Sequence, residues 1–160
     1  MNIPNLPENL PSILDRIKEG VFLPQFFQLI HVSGYDEILP EMVQITLFIP
    51  TEDTLDFLNS EQIKYLNSAL EDKEKAKEII ENHIVKEELT LLDLANLEKV
   101  FTLNNKEIGI DVHCNILNNF ETPITESSSL TAKVNDYKME TANLVCYNGI
   151  MHSIKGIILI

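Results

Sequence analysis

The sequence predicts an α+β domain in which helices fill the first half of the chain and mainly antiparallel strands fill the second half. Apolar residues recur at helical spacing up to about residue 83, and apolar and polar residues alternate from residue 100 onward. The regular strand–helix–strand alternation of a parallel sheet is missing. With 160 residues, 44% of them hydrophobic and 23% charged, the chain fits one globular domain with a substantial core.

Caps and apolar spacing predict the helices. Pro4, Pro7 and Pro11 punctuate an extended N-terminal arm, residues 1–20, whose last part holds a short helix that begins after the cap Ser12 and stops at Gly20. Further helices are predicted over 22–32, in a short segment capped by Thr51 or Asp53, over 61–70 after the cap Ser60, over 73–83 after the cap Asp72, and within 89–97.

Alternation of β-branched and aromatic residues predicts the strands, beginning with residues 44–49, which Pro50 stops. Asn148-Gly149 is expected to form a tight turn that needs a positive φ. Residues 118–129 are polar and are expected to form a loop or hairpin. The remaining predicted strands span 100–103, 107–114, 130–135, 138–141, 144–147 and 150–160.

The net charge of −13 narrows the classes of partner. Nucleic acids and anionic membranes are disfavoured because both are bound through clustered lysine and arginine. The charge is expected to keep the protein soluble, while a partner with a basic surface or a divalent cation stays open. No apolar run is long enough for a membrane span, and the first residues do not form a secretory signal. The expected location is therefore cytoplasmic unless a leader has been removed.

Motifs of catalysis, cofactor binding and metal binding are absent from the sequence, so an enzyme is not predicted, and neither a cofactor nor a metal site is expected. The five glycines form no phosphate-binding loop, and no G-x-S-x-G or H-E-x-x-H motif occurs. The four histidines make no i, i+4 pair. Cys114 and Cys146 lie in apolar alternating segments and are expected to be buried free thiols.

Three segments, in order along the chain, resemble the fasciclin (FAS1) domain family. Residues 46–53 read TLFIPTED and are similar to the family's strand T-x-F-x-P-T, which leads through acidic residues into a helix. Residues 79–85 are similar to its tyrosine–histidine segment at a helix end, with His83 matching and Asn82 in place of the tyrosine. Residues 148–159 resemble its closing N-G-x-x-H-x-I block and apolar strand.

This resemblance covers residues 21–160 and implies a wedge-like β-sandwich of mainly antiparallel strands with helices packed along it. It also implies a non-enzymatic, single-domain module for adhesion and protein–protein interaction, outside the cell or at its surface. Glu52, Leu55 and Lys155 depart from the family pattern, so the partner surface is expected to differ. The positions with an implied structural or partner-binding role are Thr46, Phe48, Pro50, Thr51, Asp53, His83, Asn148, Gly149 and His152.

Most of these motif residues have a structural explanation, since they shape a strand end, make a turn or tie the core. The partner itself is unidentified, and another copy of the chain is one of the options. A carrier of a small apolar ligand, such as a lipid or pigment, is the alternative function. Its cleft would be lined by Phe22, Phe26, Phe27 and Leu29.

Overall fold

The computed structural model of the chain describes residues 10–115 and 129–159. Over these residues the protein is α+β, as predicted, with helices preceding most of the strands. The α-helices are α1 Ile13–Glu19, α2 Pro24–Ser33, α3 Tyr35–Ile38, α4 Ser60–Ala69, α5 Lys73–Glu81 and α6 Leu91–Ala95, with short 3₁₀ helices at Leu39–Glu41 and Thr54–Phe57. The strands are β1 Ile45–Pro50, β2 Ile84–Val85, β3 Lys99–Phe101, β4 Glu107–Asn115, β5 Ser129–Val134, β6 Tyr137–Cys146 and β7 Gly149–Ile154.

The seven strands of the described residues form a single mixed sheet in the order β2-β1-β7-β6-β5-β4-β3. The prediction of a sandwich of antiparallel strands is therefore not accurate in detail: β1 runs parallel to β7, whereas the other pairs are antiparallel. Every residue of β1 and β7 is buried. Strands buried on both faces suit the middle of a sheet that is covered on both sides.

The sheet curls so far that its two edge strands meet, which makes it nearly barrel-like. The amide of Leu103, just after β3, donates to the carbonyl of Ile84 in β2 at 2.7 Å. Beyond this bond the two edges separate around a cavity of about 250 Å³. We call this region, formed by residues 84–86 and 99–103, the seam.

Alternating residues of β1 face two hydrophobic clusters on opposite sides of the sheet. Leu47 and Ile49 pack into a cluster with the apolar faces of α1, α2 and α5. Phe48 belongs to a second cluster, inside the curl, together with side chains such as Val134 and Ile154. The sheet is thus held between a helical layer and its own folded-over half.

Most helix predictions are confirmed, with small shifts at the ends. Ser12 caps α1, its Oγ accepting from the amide of Asp15 at 3.1 Å. Gly34, with φ +84°, ends α2 in the left-handed conformation. The predicted cap Ser60 is instead the first residue of α4, because Asn59 makes a capping box with Gln62. Helix α5 ends at Glu81, before the predicted end at residue 83.

Asp53 does not cap the helix that follows it, contrary to the prediction. Its carboxylate accepts from the Thr51 hydroxyl at 2.5 Å instead, and the following helix is a single 3₁₀ turn. The very short elements α3 and β2 were not predicted, because they span too few residues to show a period.

The last strands differ from the prediction in their limits. The segments 138–141 and 144–147 belong to one strand, β6, whose pairing with β7 is irregular between Met139 and Leu144. Asn143 lies in this irregular stretch with φ +59°. Strand β7 ends at Ile154 instead of residue 160, and the apolar residues after it are buried without strand pairing.

The turn before β7 is formed by Tyr147 and Asn148, not by Asn148 and Gly149. Neither Asn148 nor Gly149 has a positive φ, so that prediction is wrong. A left-handed pair occurs at the β5–β6 turn instead, where Asn135 has φ +52° and Asp136 has φ +66°. Two consecutive left-handed residues are typical of a type I′ hairpin turn.

Three sequence predictions concern parts of the chain that lie wholly or partly outside the described residues: the course of the arm over 1–9, the loop over 118–129, and the burial of the Cys114 side chain. Where the arm is described, Ile13, Leu14 and Ile17 of α1 are buried in the first cluster. No helix within residues 10–115 and 129–159 is both long enough and apolar enough to cross a membrane.

Candidate functional site

The motif residues come together around the adjacent strands β1 and β7. Thr46, Phe48 and Pro50 belong to β1, Thr51 and Asp53 follow it, His83 links α5 to β2, Asn148 lies in the β6–β7 turn, and Gly149 and His152 belong to β7. All of these residues except Asp53 are buried. Four of them, Thr46, His83, Asn148 and His152, hydrogen-bond through their side chains to the protein's own backbone.

Thr46 and His152 hold the chain that leaves β2. The Thr46 hydroxyl donates to the carbonyl of Glu87 at 2.6 Å and accepts from the amide of Leu89 at 2.8 Å. The Nε2 of His152 lies 2.7 Å from the carbonyl of Leu89, and its Nδ1 accepts from the amide of Asn143 at 3.1 Å. These bonds hold residues 87–89 against β1 and β7.

His83 holds the segment that follows β7. Its Nδ1 lies 2.6 Å from the carbonyl of Ile79, in the last turn of α5, and its Nε2 accepts from the amide of Ile158 at 2.9 Å. The neighbouring Asn82 donates to the carbonyl of Ile158 at 2.8 Å and accepts from Asn104. Both backbone groups of Ile158 are thus satisfied by side chains, so the C-terminal segment is clamped without a strand partner.

These contacts fix the protonation of both histidines. A carbonyl beside one ring nitrogen requires that nitrogen to carry the proton, and an amide donating to the other requires a lone pair there, so each ring is neutral. Burial lowers the pKa of His83 to about 4, against the opposing effect of its bond to Ile79. Burial also lowers the pKa of His152. Neutral rings enclosed in this way stabilise the fold and have no access to a substrate.

Asn148 and Gly149 join the arm to the sheet. The Asn148 Oδ1 accepts from the amide of Ile13 at 2.9 Å, and its Nδ2 donates to the carbonyl of Leu39 at 3.0 Å. A Cβ at Gly149 would lie 2.2 Å from the carbonyl oxygen of Ile45. Glycine is required here because β1 approaches too closely for any side chain.

Asp53 is the one motif residue with solvent access. The Thr51 hydroxyl donates to it, and this hydrogen bond, aided by the charge of Lys155, lowers the pKa of Asp53. The Lys155 ammonium lies 3.7 Å from Asp53 and 6.0 Å from the ring centre of Phe57. This exposed group can present charge to a partner, but it is too hydrated to add much stability.

Two functional side chains were missed by the sequence analysis. Asn82 was noted only as a departure from a family tyrosine, although its fixed place beside His83 is a usable signal. Asn143 was placed only in a penultimate strand, without these contacts: its Oδ1 accepts from the amide of Leu91, and its own backbone amide donates to His152. No local pattern marks an asparagine for such contacts across the fold.

Among the described residues, no group of three or more histidine, cysteine, aspartate or glutamate side chains could hold a metal ion. Cys146 is buried and unpaired, and burial raises the pKa of its thiol despite the nearby Arg16 guanidinium. A raised pKa keeps the thiol protonated and unreactive. The described part of the chain therefore offers neither a metal centre nor an activated nucleophile at Cys146.

The four residues expected to line an apolar cleft do not share one. Phe26 and Leu29 are fully buried core residues, and Phe26 makes an edge contact with the His83 ring. Phe22 and Phe27 instead line a shallow surface groove of about 350 Å³ beside Gly20. Two of the four predicted lining residues, Phe26 and Leu29, therefore belong to the core and not to a cleft.

The seam brings together unpaired backbone and exposed apolar side chains. Along β3, the backbone groups of successive residues point alternately towards β4 and away from it. Just after β3 the Thr102 amide donates to the Lys106 carbonyl on the β4 side. The backbone groups of Lys99 and Phe101 therefore point away from β4. No backbone hydrogen bond joins Phe101 to Lys86 across the described seam. The Phe101 side chain is 54% exposed, and that of Leu97 beside it is 37% exposed.

Comparison with known proteins gives one family. The model of the fasciclin domain matches residues 23–160. None of the curated proteins matches the sequence. The structure is similar to a FAS1 domain pair from the insect cell adhesion molecule fasciclin I, with a TM-score of 0.69 and 16% identity over 92% of this chain. The chain spans half the length of that domain pair, and at this identity the likeness concerns the fold.

Proposed function

The chain belongs to the fasciclin domain family, and we propose that it is a non-enzymatic module that binds another protein in adhesion, outside the cell or at its surface. Family membership supports the general class. Because all of the family's motif residues except Asp53 are buried, we propose a structural role for all of them except Asp53. We therefore expect the partner to contact exposed residues of the domain instead of these motif residues.

The observation that carries this proposal is the seam. The backbone groups of Lys99 and Phe101 face the seam, where an added strand would pair with them. Phe101 and Leu97 supply exposed apolar surface beside them. An aromatic side chain next to an open strand edge is a favourable anchor for a protein partner. We propose the seam as the place where the partner, or a second copy of the chain, is bound.

Photo-crosslinking in the native host tests this proposal. Phe101→p-benzoylphenylalanine places a crosslinker at the seam, and Phe57→p-benzoylphenylalanine is a matched control, because Phe57 is equally exposed at 54% and lies elsewhere. We expect a discrete protein adduct from position 101 that is absent from position 57 and is reduced by Leu97→Ser. No adduct at position 101, or equal adducts from both positions, would reject the seam as the binding surface.

Location is tested independently by surface labelling of intact host cells, followed by mass spectrometry of the N-terminus. Labelling from outside is the expected result. Absence of labelling, together with an unprocessed Met1 in the cytosol, would exclude surface adhesion for this protein. The crosslinking result would then identify an intracellular partner instead.

The alternative function, a carrier of a small apolar ligand, is tested by native mass spectrometry of the protein purified from its host. An added mass that is lost on organic extraction would favour the carrier. The groove beside Phe22 and Phe27 is the place where such a ligand would bind.

A further inference from the structure

A second cavity, of about 400 Å³, lies between the start of α4, the β5–β6 turn and the C-terminal segment. It shares no lining residue with the seam. Its size falls in the range of small-molecule sites, roughly 300–1,000 Å³. Five of its seven lining residues carry an amide or phenol group, Asn59, Gln62, Tyr65, Asn135 and Tyr137, and the other two are the carboxylate Glu61 and the apolar Leu159.

The amide groups of this cavity are held with their donors free. In the capping box of α4, the Asn59 Oδ1 accepts from the Gln62 amide, and the Gln62 Oε1 accepts from the Asn59 amide. Both side-chain oxygens are thereby occupied, and both NH₂ groups remain to donate. Asn135 is fixed by its left-handed turn position, and its side chain makes no hydrogen bond to any described residue.

The two phenols are also positioned in advance. The Tyr137 ring lies flat against Gly156, where a Cβ would come within 2.1 Å of the ring. The Tyr65 ring is contacted by the Lys75 ammonium, 5.6 Å from its centre. Neither phenol hydroxyl bonds to any described residue. Preorganised groups lose little freedom when a ligand binds.

The chemistry of the lining discriminates among ligand classes. No lysine or arginine is among the residues that line the cavity, and Glu61 would repel a phosphate or carboxylate ligand. A lipid would leave the amide donors and phenols without partners, which is costly. The ligand should therefore carry no negative charge and should offer hydrogen-bonding groups to the amides and phenols. A neutral ligand rich in hydroxyl groups meets both requirements, since it accepts from the amides, donates to Glu61 and packs its apolar ring face on an aromatic ring.

We propose that this cavity binds a neutral saccharide, one or two sugar units in size, between the Tyr65 and Tyr137 side chains and the amides of Asn59, Gln62 and Asn135. Binding at this cavity is separate from protein binding at the seam. A saccharide borne by a partner protein or by a cell surface would be engaged here at the same time.

The test is an NMR titration of ¹⁵N-labelled protein with the methyl glycosides of glucose, galactose, mannose, N-acetylglucosamine and fucose. We expect saturable shifts from at least one glycoside, confined to the amides of 59–65, 135–137 and 156–159. Asn135→Gly keeps the left-handed turn and removes the amide side chain, so it should weaken binding roughly threefold to tenfold. Asp136→Gly, in the same turn but outside the lining, should bind as the natural chain does.

Two results would overturn the proposal. One is the absence of saturable shifts with every glycoside. The other is equal binding by the natural chain and the Asn135→Gly variant, with the Tyr65→Phe variant unchanged as well. A neutral N-acetyl dipeptide amide is titrated in parallel, and binding of this peptide without any glycoside would assign the cavity to a peptide instead. Crosslinking at Phe101 is scored separately, so failure of either proposal leaves the other measurable.

Discussion

Among single residues, the buried histidines link the stability of the fold to pH. His83 and His152 are fully buried and neutral, and each bonds to backbone on both sides of its ring. A histidine that is buried and neutral in the folded state contributes its full stability at a pH where the same histidine is also neutral in the unfolded chain. At lower pH the unfolded histidine takes up a proton, and this contribution to the free energy of unfolding is lost. The family motif therefore makes stability depend on pH, although neither ring meets solvent.

We predict that the protein loses stability as the pH falls from about 6.5 towards 4. The folded pKa of His83 is about 4, below its unfolded value of about 6.5, so its contribution is complete above pH 6.5 and is lost between these values. The expected slope is about 1.4 kcal/mol per pH unit for this residue. Urea unfolding across this range measures it.

His83→Gln should unfold more readily at neutral pH and show a flatter dependence on pH below 6.5. His31→Gln is the control, because the His31 side chain is 78% exposed. If the His83→Gln and natural proteins had parallel pH profiles, His83 would not be the group responsible. His152→Gln provides a second test in case His83→Gln does not fold.

The two strand glycines of the sheet allow a matched comparison. Gly149→Ala would place a methyl group 2.2 Å from the Ile45 carbonyl, whereas a Cβ at Gly109 meets nothing within 4 Å. We predict that Gly149→Ala costs roughly 1–3 kcal/mol of unfolding free energy. Gly109→Ala should be neutral or slightly stabilising, because alanine restricts the unfolded chain. Equal thermal midpoints for the two variants would contradict the close approach of β1 and β7.

At the scale of elements, α1 shows how a peripheral segment becomes part of the core. Its spacing of apolar residues predicts a short helix, and the structure buries that face against the helical layer. Isolated helices of this length are unstable in water, so packing supplies its stability. The arm and the domain are therefore joined through α1, and just before α1 the Pro11 carbonyl accepts from the Tyr147 amide.

We predict that deletion of residues 1–11 leaves a cooperatively folded domain. The lost bond from Tyr147 should lower the unfolding free energy by about 1 kcal/mol. Deletion of residues 1–20 should be much more damaging, since it removes three buried side chains of α1. Thermal unfolding followed by circular dichroism distinguishes the two. Loss of the cooperative transition in the shorter deletion would show that the arm is part of the fold.

At the scale of the whole molecule, the curled sheet gives the protein two edges that nearly close on each other. The Leu103–Ile84 bond is the one point at which the described edges pair, and just after β2 Thr46 and His152 hold residues 87–89 against β1 and β7. Buried motif residues thus shape an exposed surface. The net charge of −13 over the whole chain favours partners that are not acidic.

Amide hydrogen exchange should report the opening of the seam. We predict slow exchange at Thr102 and Leu103, whose amides donate to Lys106 and Ile84, and fast exchange at Lys99 and Phe101, whose amides face the seam. Protection at Phe101 equal to that at Thr102 would mean that the two edges are paired in solution. Added protection at Phe101 in the presence of a bound partner would support docking by strand pairing.

The α+β class, the caps at Ser12 and Asp72, the helix end at Gly34 and the family motifs can be predicted from local sequence, because each depends on neighbours a few residues away. The parallel pairing of β1 with β7, the curling of one sheet in place of two stacked sheets, and the clamp of Asn82 on Ile158 arise only in the folded chain. The β1–β7 pair Ile45–Gly149 is 104 positions apart and the Asn82–Ile158 bond is 76 positions apart, and no local period encodes such pairings. The seam and the amide-lined cavity also depend on the tertiary structure, since each is formed by segments that come together only in the folded chain.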